Sequence, residues 1–259
     1  MRILAVANQK GGVGKTTVSV HLADAWRRSG KRVLFVDLDQ QTHATDWLLG
    51  PHSGTAGAVS ALRTGRIGEG DLFPVDGRPG MHILPASSAL ADAELFLAGE
   101  PFGETLLRDA LDGVAGAFDL VVLDCAPTVS IVTISALAAA DAILIPATTG
   151  QMPLKGVAEV LHRMRLVRER MKVPVRLLGV LLFAADDRES LTSEARDILR
   201  EHVGALLDTE VRVSAAAKTL AASRATAFDH GADARGREDY ERVAAEVLSR
   251  LEGEATHAD

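Results

Sequence analysis

The sequence predicts an α/β fold: a doubly wound, mainly parallel sheet with helices on both faces. Three observations predict it. Short runs of β-forming apolar residues alternate with longer helical patterns almost throughout the chain. Three of those runs, 3–7, 33–36 and 142–146, carry no polar residue, as in strands covered on both sides. The first run passes through a glycine-rich turn straight into a helical stripe. With 259 residues and 47% apolar content, the chain can bury one large core. No repeat and no long linker divides it, so residues 1–252 are expected to form one domain and 253–259 a short polar tail.

Taken in order, Ile3 to Ala7 reads as a buried strand. Val18, Leu22, Ala25 and Trp26 then recur at helical spacing, and that helix is expected to end near Ser29-Gly30. Arg32 to Asp37 reads as the second strand, apolar until it meets acidic residues at its carboxyl end, where doubly wound sheets place their ligands. Residues 50–80 are rich in Gly and Pro, with a short helix expected near 56–64. Strands are expected at 81–85, 118–124, 142–146 and 175–183. Helices are expected at 89–98, 105–114, 130–139, 154–171, 190–203 and 238–251.

The chemistry starts in Lys10-Gly11-Gly12-Val13-Gly14-Lys15-Thr16-Thr17. Strand, glycine-rich turn and helix form the context of a phosphate-binding loop. The glycines let successive N–H groups converge on phosphate oxygens. Lys15 can reach the β- and γ-phosphates, and the Thr16 hydroxyl can bind Mg²⁺. The usual G-x-x-x-x-G-K-[ST] pattern needs glycine at position 9, where this chain has Gln9. K-G-G-x-G-K-T-T, with a second lysine at position 10, is the deviant Walker A form. In it the chain resembles the ParA/MinD family of P-loop ATPases, and ParA/Soj-type partition ATPases over most of its length.

That resemblance assigns roles. Asp37-Leu38-Asp39-Gln40-Gln41-Thr42-His43-Ala44-Thr45 resembles the family's D-x-D-P-Q-G-N-A-T element, with Pro, Gly and Asn replaced. It implies that Asp39 positions the attacking water and that Asp37 supports the Mg²⁺ and water network. A helix N-cap after a strand is the structural alternative for either residue. Asp124 ends a run of β-formers as a Walker B aspartate does, implying a Mg²⁺ ligand; Cys125-Ala126-Pro127 follows where the family has C-P-P. Lys10 is implied to reach across an ATP-bound homodimer to the partner's phosphates. Lys10, Lys15 and Asp39 are thus the expected catalytic set, residues 10–17 the nucleotide cradle, and Thr16, Asp37 and Asp124 the metal set, with ATP and Mg²⁺ as cofactors.

Gly179-Val180-Leu181-Leu182, the following Asp187-Arg188, and Val211-Arg212-Val213-Ser214 extend the resemblance. It implies non-specific contacts to duplex DNA from Arg188 and Arg212, with Lys218 and Arg224 as neighbours. Such contacts go to phosphates and carry no sequence information. Residues 215–222 depart from the family's Pro- and Gly-containing stretch and read as helical, so adenine contacts do not carry over. The implied partner is a ParB-like centromere-binding protein that stimulates hydrolysis. The chain begins at its first strand, so a helix-turn-helix extension and operator-specific repression are not expected.

Composition limits the rivals. A net charge of −7 excludes an overall basic nucleic-acid binder. The charge is uneven, however: residues 155–176 hold seven basic side chains against two acidic ones, either a solvated helix face or a surface for an anionic polymer. The acidic end of the chain lacks the amphipathic helix of MinD-like positioning ATPases, so no membrane partner is expected. A single cysteine, Cys125, is too few for iron–sulfur carriers and is expected to pack. A non-hydrolysing ATP-gated scaffold would keep Lys15 and Thr16, but Asp39 and Asp124 argue against it. His21, His43, His52 and His82 show no ligand spacing and are expected in core or surface roles. No signal peptide is expected from the Met1-Arg2 start, and a cytoplasmic, nucleoid-associated protein is expected.

Overall fold

The computed structural model describes residues 1–51, 57–128, 130–149, 153–186, 190–214, 217–229 and 233–253. Its strands are β1 (Arg2–Val6), β2 (Val33–Leu38), β3 (Phe73–Pro74), β4 (Met81–Leu84), β5 (Leu120–Cys125), β6 (Ala142–Ala147), β7 (Arg176–Ala185) and β8 (Val211–Arg212). They form one sheet in the order β3-β4-β2-β5-β1-β6-β7-β8. Every pairing is parallel except the β3–β4 edge. The expected doubly wound α/β architecture is therefore the one the chain adopts.

The helices are α1 (Lys15–Arg28), α2 (His43–Leu49), α3 (Gly57–Thr64), α4 (Leu90–Gly99), α5 (Leu106–Asp112), α6 (Ile131–Ala139), α7 (Pro153–Met171), α8 (Ser190–Val203), α9 (Ala217–Leu220) and α10 (Ala234–Glu252). They cover two cores. Ile3, Leu34, Val36, Val121, Leu123 and Ile143 point to one face, under α3 to α8. Leu4, Val6, Val33, Phe35, Leu120 and Val122 point to the other, under α1, α2 and α10. Each fully buried side chain of this kind stabilises by roughly 1.5–3 kcal/mol.

Strand alternation does more than build the cores. Asp37 follows Val33 and Phe35 at steps of two, and Asp124 follows Leu120 and Val122. Both carboxylates therefore point to the α1 face. The register pairs Asp37 with Asp124 across β2 and β5, and Val6 with Asp124 across β1 and β5. Two acidic groups and the exit of β1 thus meet at one end of the sheet.

Several boundaries differ from the sequence expectation. α2 is missing from it, because seven residues carry too little periodicity; the helix is held by Trp47, whose Nε1 donates to the Ala225 carbonyl at 3.0 Å. The expected 105–114 helix opens as a 3₁₀ turn at Gly103–Thr105 and ends at Asp112. α10 begins four residues early because Asp233 caps it, accepting from Gly236 N at 2.9 Å. The helix expected over 215–222 is realised only as α9; residues 215 and 216 lie outside the described set. β3 places Pro74 on an antiparallel edge, where a missing N–H costs no ladder bond.

Candidate functional site

β1 delivers the chain into the glycine loop, and α1 is preceded by Gly14, whose φ of 86° is left-handed. A Cβ there would also meet the Phe183 ring at 2.5 Å, so position 14 requires glycine twice over. Gly14 offers no side-chain cap, which leaves the first N–H groups of α1 to face a ligand. Lys15 is 7% exposed, and its Nζ donates to the Lys10 carbonyl at 3.3 Å. Burial lowers its pKa, opposed by Asp124, Cys125 and Asp39. The ammonium is held inside the loop and lacks the full solvation of a surface lysine.

Asp124 lies behind this loop and is 1% exposed. Ser19 donates to its Oδ1 at 3.0 Å, while Oδ2 is buried with no hydrogen-bond partner among the described residues. Burial first, and then the neighbouring Asp37, push its pKa up to about 7; Thr16, Ser19 and Lys15 pull the other way. Asp37 is fully buried and also raised, to about 6, chiefly by desolvation. Its oxygens accept from Asp39 N at 3.0 Å, Thr45 N at 2.9 Å and Thr45 Oγ1 at 2.7 Å. Asp37 therefore ties the end of β2 to the first turns of α2.

Asp39 stands just past β2 and accepts from Gln41 N at 3.0 Å. The residue preceding α2 is Thr42, not Asp39, so the capping alternative does not describe Asp39. Its carboxylate lines a 740 Å³ groove together with Gly11, Gly14, Lys15 and Thr16. The far wall of this groove comes from α2 and from the turn after α9: Asp46, Trp47, Ala221, Ala222 and Arg224. Arg224 is expected from sequence as a DNA contact, and Ala221 and Ala222 belong to the stretch from which adenine contacts do not carry over; Asp46 and Trp47 carry no sequence motif.

A divalent cation fits this donor set. An orphaned, buried carboxylate oxygen with a raised pKa lies beside a threonine hydroxyl at the loop. Among the described residues no cluster of three or more His, Cys, Asp or Glu could hold a metal alone. The cation here would complete its shell with phosphate oxygens and water, as Mg²⁺ does.

The other predicted residues are dispersed. Arg212 is 29% exposed and turned onto Asp239, which accepts from its Nε at 2.9 Å; Glu238 is 3.3 Å away. Arg224 lies in the groove wall and donates to the Leu48 carbonyl at 3.0 Å. Arg188 lies outside the described residues, as does the Lys218 side chain in α9. Cys125 is buried, its thiol pKa raised by burial, in keeping with packing. His21 is a core residue stacked on Tyr240 at 3.8 Å, with burial lowering its pKa to about 4. His43 is exposed, His82 packs edge-on against Phe118, and His52 lies outside the described residues.

A family model described as an AAA domain matches residues 1–177. The chain is 39% identical over 260 residues to the chromosome-partitioning ATPase Soj of Thermus thermophilus, covering 97% of each chain. It is 31% identical over 260 residues to the chromosome partitioning protein ParA of Caulobacter vibrioides, covering 96% of this chain and 95% of that one. Among solved structures, it resembles cobyrinic acid a,c-diamide synthase of Mycobacterium smegmatis with bound ADP and magnesium. That match has a TM-score of 0.82 and 28% identity over 96% of this chain and 94% of the other. McdA of Cyanothece shares the fold, with a TM-score of 0.86 at 21% identity over 96% of this chain and 99% of the other.

Proposed function

The chain belongs to the Soj/ParA family of partition ATPases, and from that premise we propose that it dimerises on Mg-ATP, binds duplex DNA without sequence preference and hydrolyses ATP under stimulation by a ParB-like protein. It is an ATPase, and its cofactors are ATP and Mg²⁺. One observation carries the reading: Lys15, Thr16 and Asp39 line a single groove, and Asp124 lies behind its loop with an oxygen that has no partner among the described residues.

The residues divide the work. Backbone N–H groups of residues 11–17 and the Lys15 ammonium hold the phosphates. Thr16 and Asp124 hold Mg²⁺, with Asp37 behind them keeping β2 and α2 in register. Asp39 orients the attacking water. Phosphoryl transfer asks for positioning and charge compensation more than covalent chemistry, so this set is sufficient. Lys10, exposed at the mouth of the loop, supplies a cation to the partner subunit's nucleotide. Gly11 has open space where a Cβ would stand, so only a second subunit would crowd a larger side chain there.

Arg188, Arg212 and Lys218 are the assigned phosphate contacts. We place Arg224 at the nucleotide instead, because it lines the groove. No described helix is long and apolar enough to cross a membrane. The working location is the cytoplasm, on the nucleoid. The test is retention of the chain on unrelated duplex DNAs with ATP, with ADP and without nucleotide. Retention with ATP alone, equal across sequences and lost at high salt, is expected; retention that ignores nucleotide overturns the reading.

A further inference from the structure

Asn8 precedes the glycine loop and is 3% exposed. Its Nδ2 donates to the Pro146 carbonyl at the end of β6, at 2.7 Å. Its Oδ1 accepts from the backbone N–H of Lys10 at 3.0 Å. The two partners fix the orientation of the amide, since one is an acceptor and the other a donor.

The other side of Asn8 is closed by α7. Gly156 sits in the first turn of that helix, and a Cβ built on it would overlap Asn8 Oδ1. Glycine weakens a helix relative to alanine, so its presence here answers to the close approach. Further along α7, Val160 and Arg163 meet Ala7, Asn8 and Gln9 around a 10 Å³ cavity. Gln9 Nε2 and Arg163 Nε are both buried there with no hydrogen-bond partner among the described residues. α7 is thus packed along the stretch that leads to Lys10.

Among the described residues, Lys10 is tied down by hydrogen bonds of its backbone. Its carbonyl accepts from Lys15 Nζ at 3.3 Å, and its N–H goes to Asn8. A phosphate bound in the loop competes with that carbonyl for the Lys15 ammonium. Asn8 then remains as the fixed tie.

We propose that Asn8 and Gly156 are positioning residues for Lys10: Asn8 fixes the peptide from which the Lys10 side chain springs, and Gly156 lets α7 seat against Asn8. The proposal rests on the reading of Lys10 as the cation given to the partner subunit's nucleotide. It adds that the first turn of α7, some 146 residues further along the chain, sets where that cation stands.

The experiment compares Lys10→Ala, Asn8→Ala, Gly156→Ala and the doubles Lys10→Ala/Asn8→Ala and Asn8→Ala/Gly156→Ala. Monomer affinity for a fluorescent ATP analogue with Mg²⁺ and ATP-driven dimerisation by sedimentation are read for each. Gly156→Ala keeps a good helix former, and thermal melts confirm folding. We expect monomer nucleotide affinity within about twofold of the parent for Asn8→Ala and Gly156→Ala, with dimer dissociation constants raised roughly tenfold, as for one tenfold step per 1.4 kcal/mol. Adding Asn8→Ala to Lys10→Ala should change nothing further, because both act on one cation. The Asn8→Ala/Gly156→Ala double should be no weaker than Asn8→Ala, because the overlap is gone. Parent-like dimerisation of Gly156→Ala, or additive losses from Lys10→Ala and Asn8→Ala, overturns the proposal while leaving the Lys10 reading intact. Parent-like dimerisation of Lys10→Ala overturns the Lys10 reading and the proposal with it.

Discussion

The carboxyl ends of β2 and β5 and the β8 edge of the sheet both gather acidic and basic side chains, with opposite results. At the first, Asp37, Asp124 and Lys15 are 0%, 1% and 7% exposed; Asp37 stands beside Asp124 across the strand pair, and Asp124 acts on the Lys15 ammonium. Both acids are pushed above the usual range, and one oxygen of Asp124 has no hydrogen-bond partner among the described residues. At the second, Arg212 meets the buried Asp239 and the exposed Glu238, and its pKa is raised by those partners. The β8 edge satisfies its own charges; the nucleotide end is short of positive charge. That shortage fits the proposed site of a divalent cation and sets it apart from a salt-bridged surface.

The largest break comes from removing the ammonium at the deficient end. Lys15→Ala should lower ATP affinity by at least about 100-fold, from roughly 3 kcal/mol for a charge-assisted bond to phosphate. Equilibrium binding of a fluorescent analogue measures it; affinity near that of the parent would remove Lys15 from the site. Asp39→Ala should bind ATP normally and lose roughly 100-fold or more in stimulated turnover, as when a group that orients or activates water is removed. Turnover close to the parent's would mean that another group orients the water.

Asp124→Asn sharpens the comparison through pH. The folded protein holds Asp124's proton up to about pH 7, whereas the unfolded chain releases it near 3.8. Rising pH across that window therefore drains stability from the nucleotide-free protein. The variant cannot ionise, so its melting temperature should exceed the parent's at pH 8, with the gap closing toward pH 5. With Mg²⁺ and ATP the order should reverse, since the ligand then stabilises the parent carboxylate. Calorimetric scans at the two pH values, with and without ligand, check both halves.

The same contrast explains what the sequence made legible. Loop, helix and strand ends at the nucleotide site are dictated by local rules: glycine at left-handed φ, a lysine and threonine at fixed offsets, and period-two alternation that turns Asp37 and Asp124 to one face. Those rules operate within a few residues, so a motif records them. The groove's far wall depends on Trp47 reaching Ala225 across 178 positions, and no local pattern encodes that contact. α2 was missed for the same reason: Asp37 and Trp47 hold it, not its own seven residues. The α7 basic run was legible as charge but not as geometry. Arg163 turns to Glu159, whereas Arg165, Arg168 and Arg170 are exposed with no ion pair among the described residues.

The smallest expected effect belongs to the satisfied edge, at Arg212. Asp239 takes its Nε and Nη2, and Glu238 also approaches Nη2; Nη1 has no hydrogen bond among the described residues. The guanidinium is thereby oriented by Asp239, and Nη1 is the group that the proposed phosphate contact would use. Arg212→Gln should act in two ways that separate on measurement. Asp239, 0% exposed, loses its main counter-charge, so the melting temperature should fall by about 3 °C or more, at roughly 2–4 °C per kcal/mol. Losing one phosphate contact should reduce the slope of log affinity against log salt by about 0.9 per subunit, equally on every duplex. Fluorescence anisotropy of ATP-locked Asp39→Ala protein across a salt series, at a temperature well below both melts, reads the second effect without the first. A lowered melt with an unchanged slope would assign Arg212 to the fold alone and leave DNA contact to Arg188, Lys218 and the exposed arginines of α7.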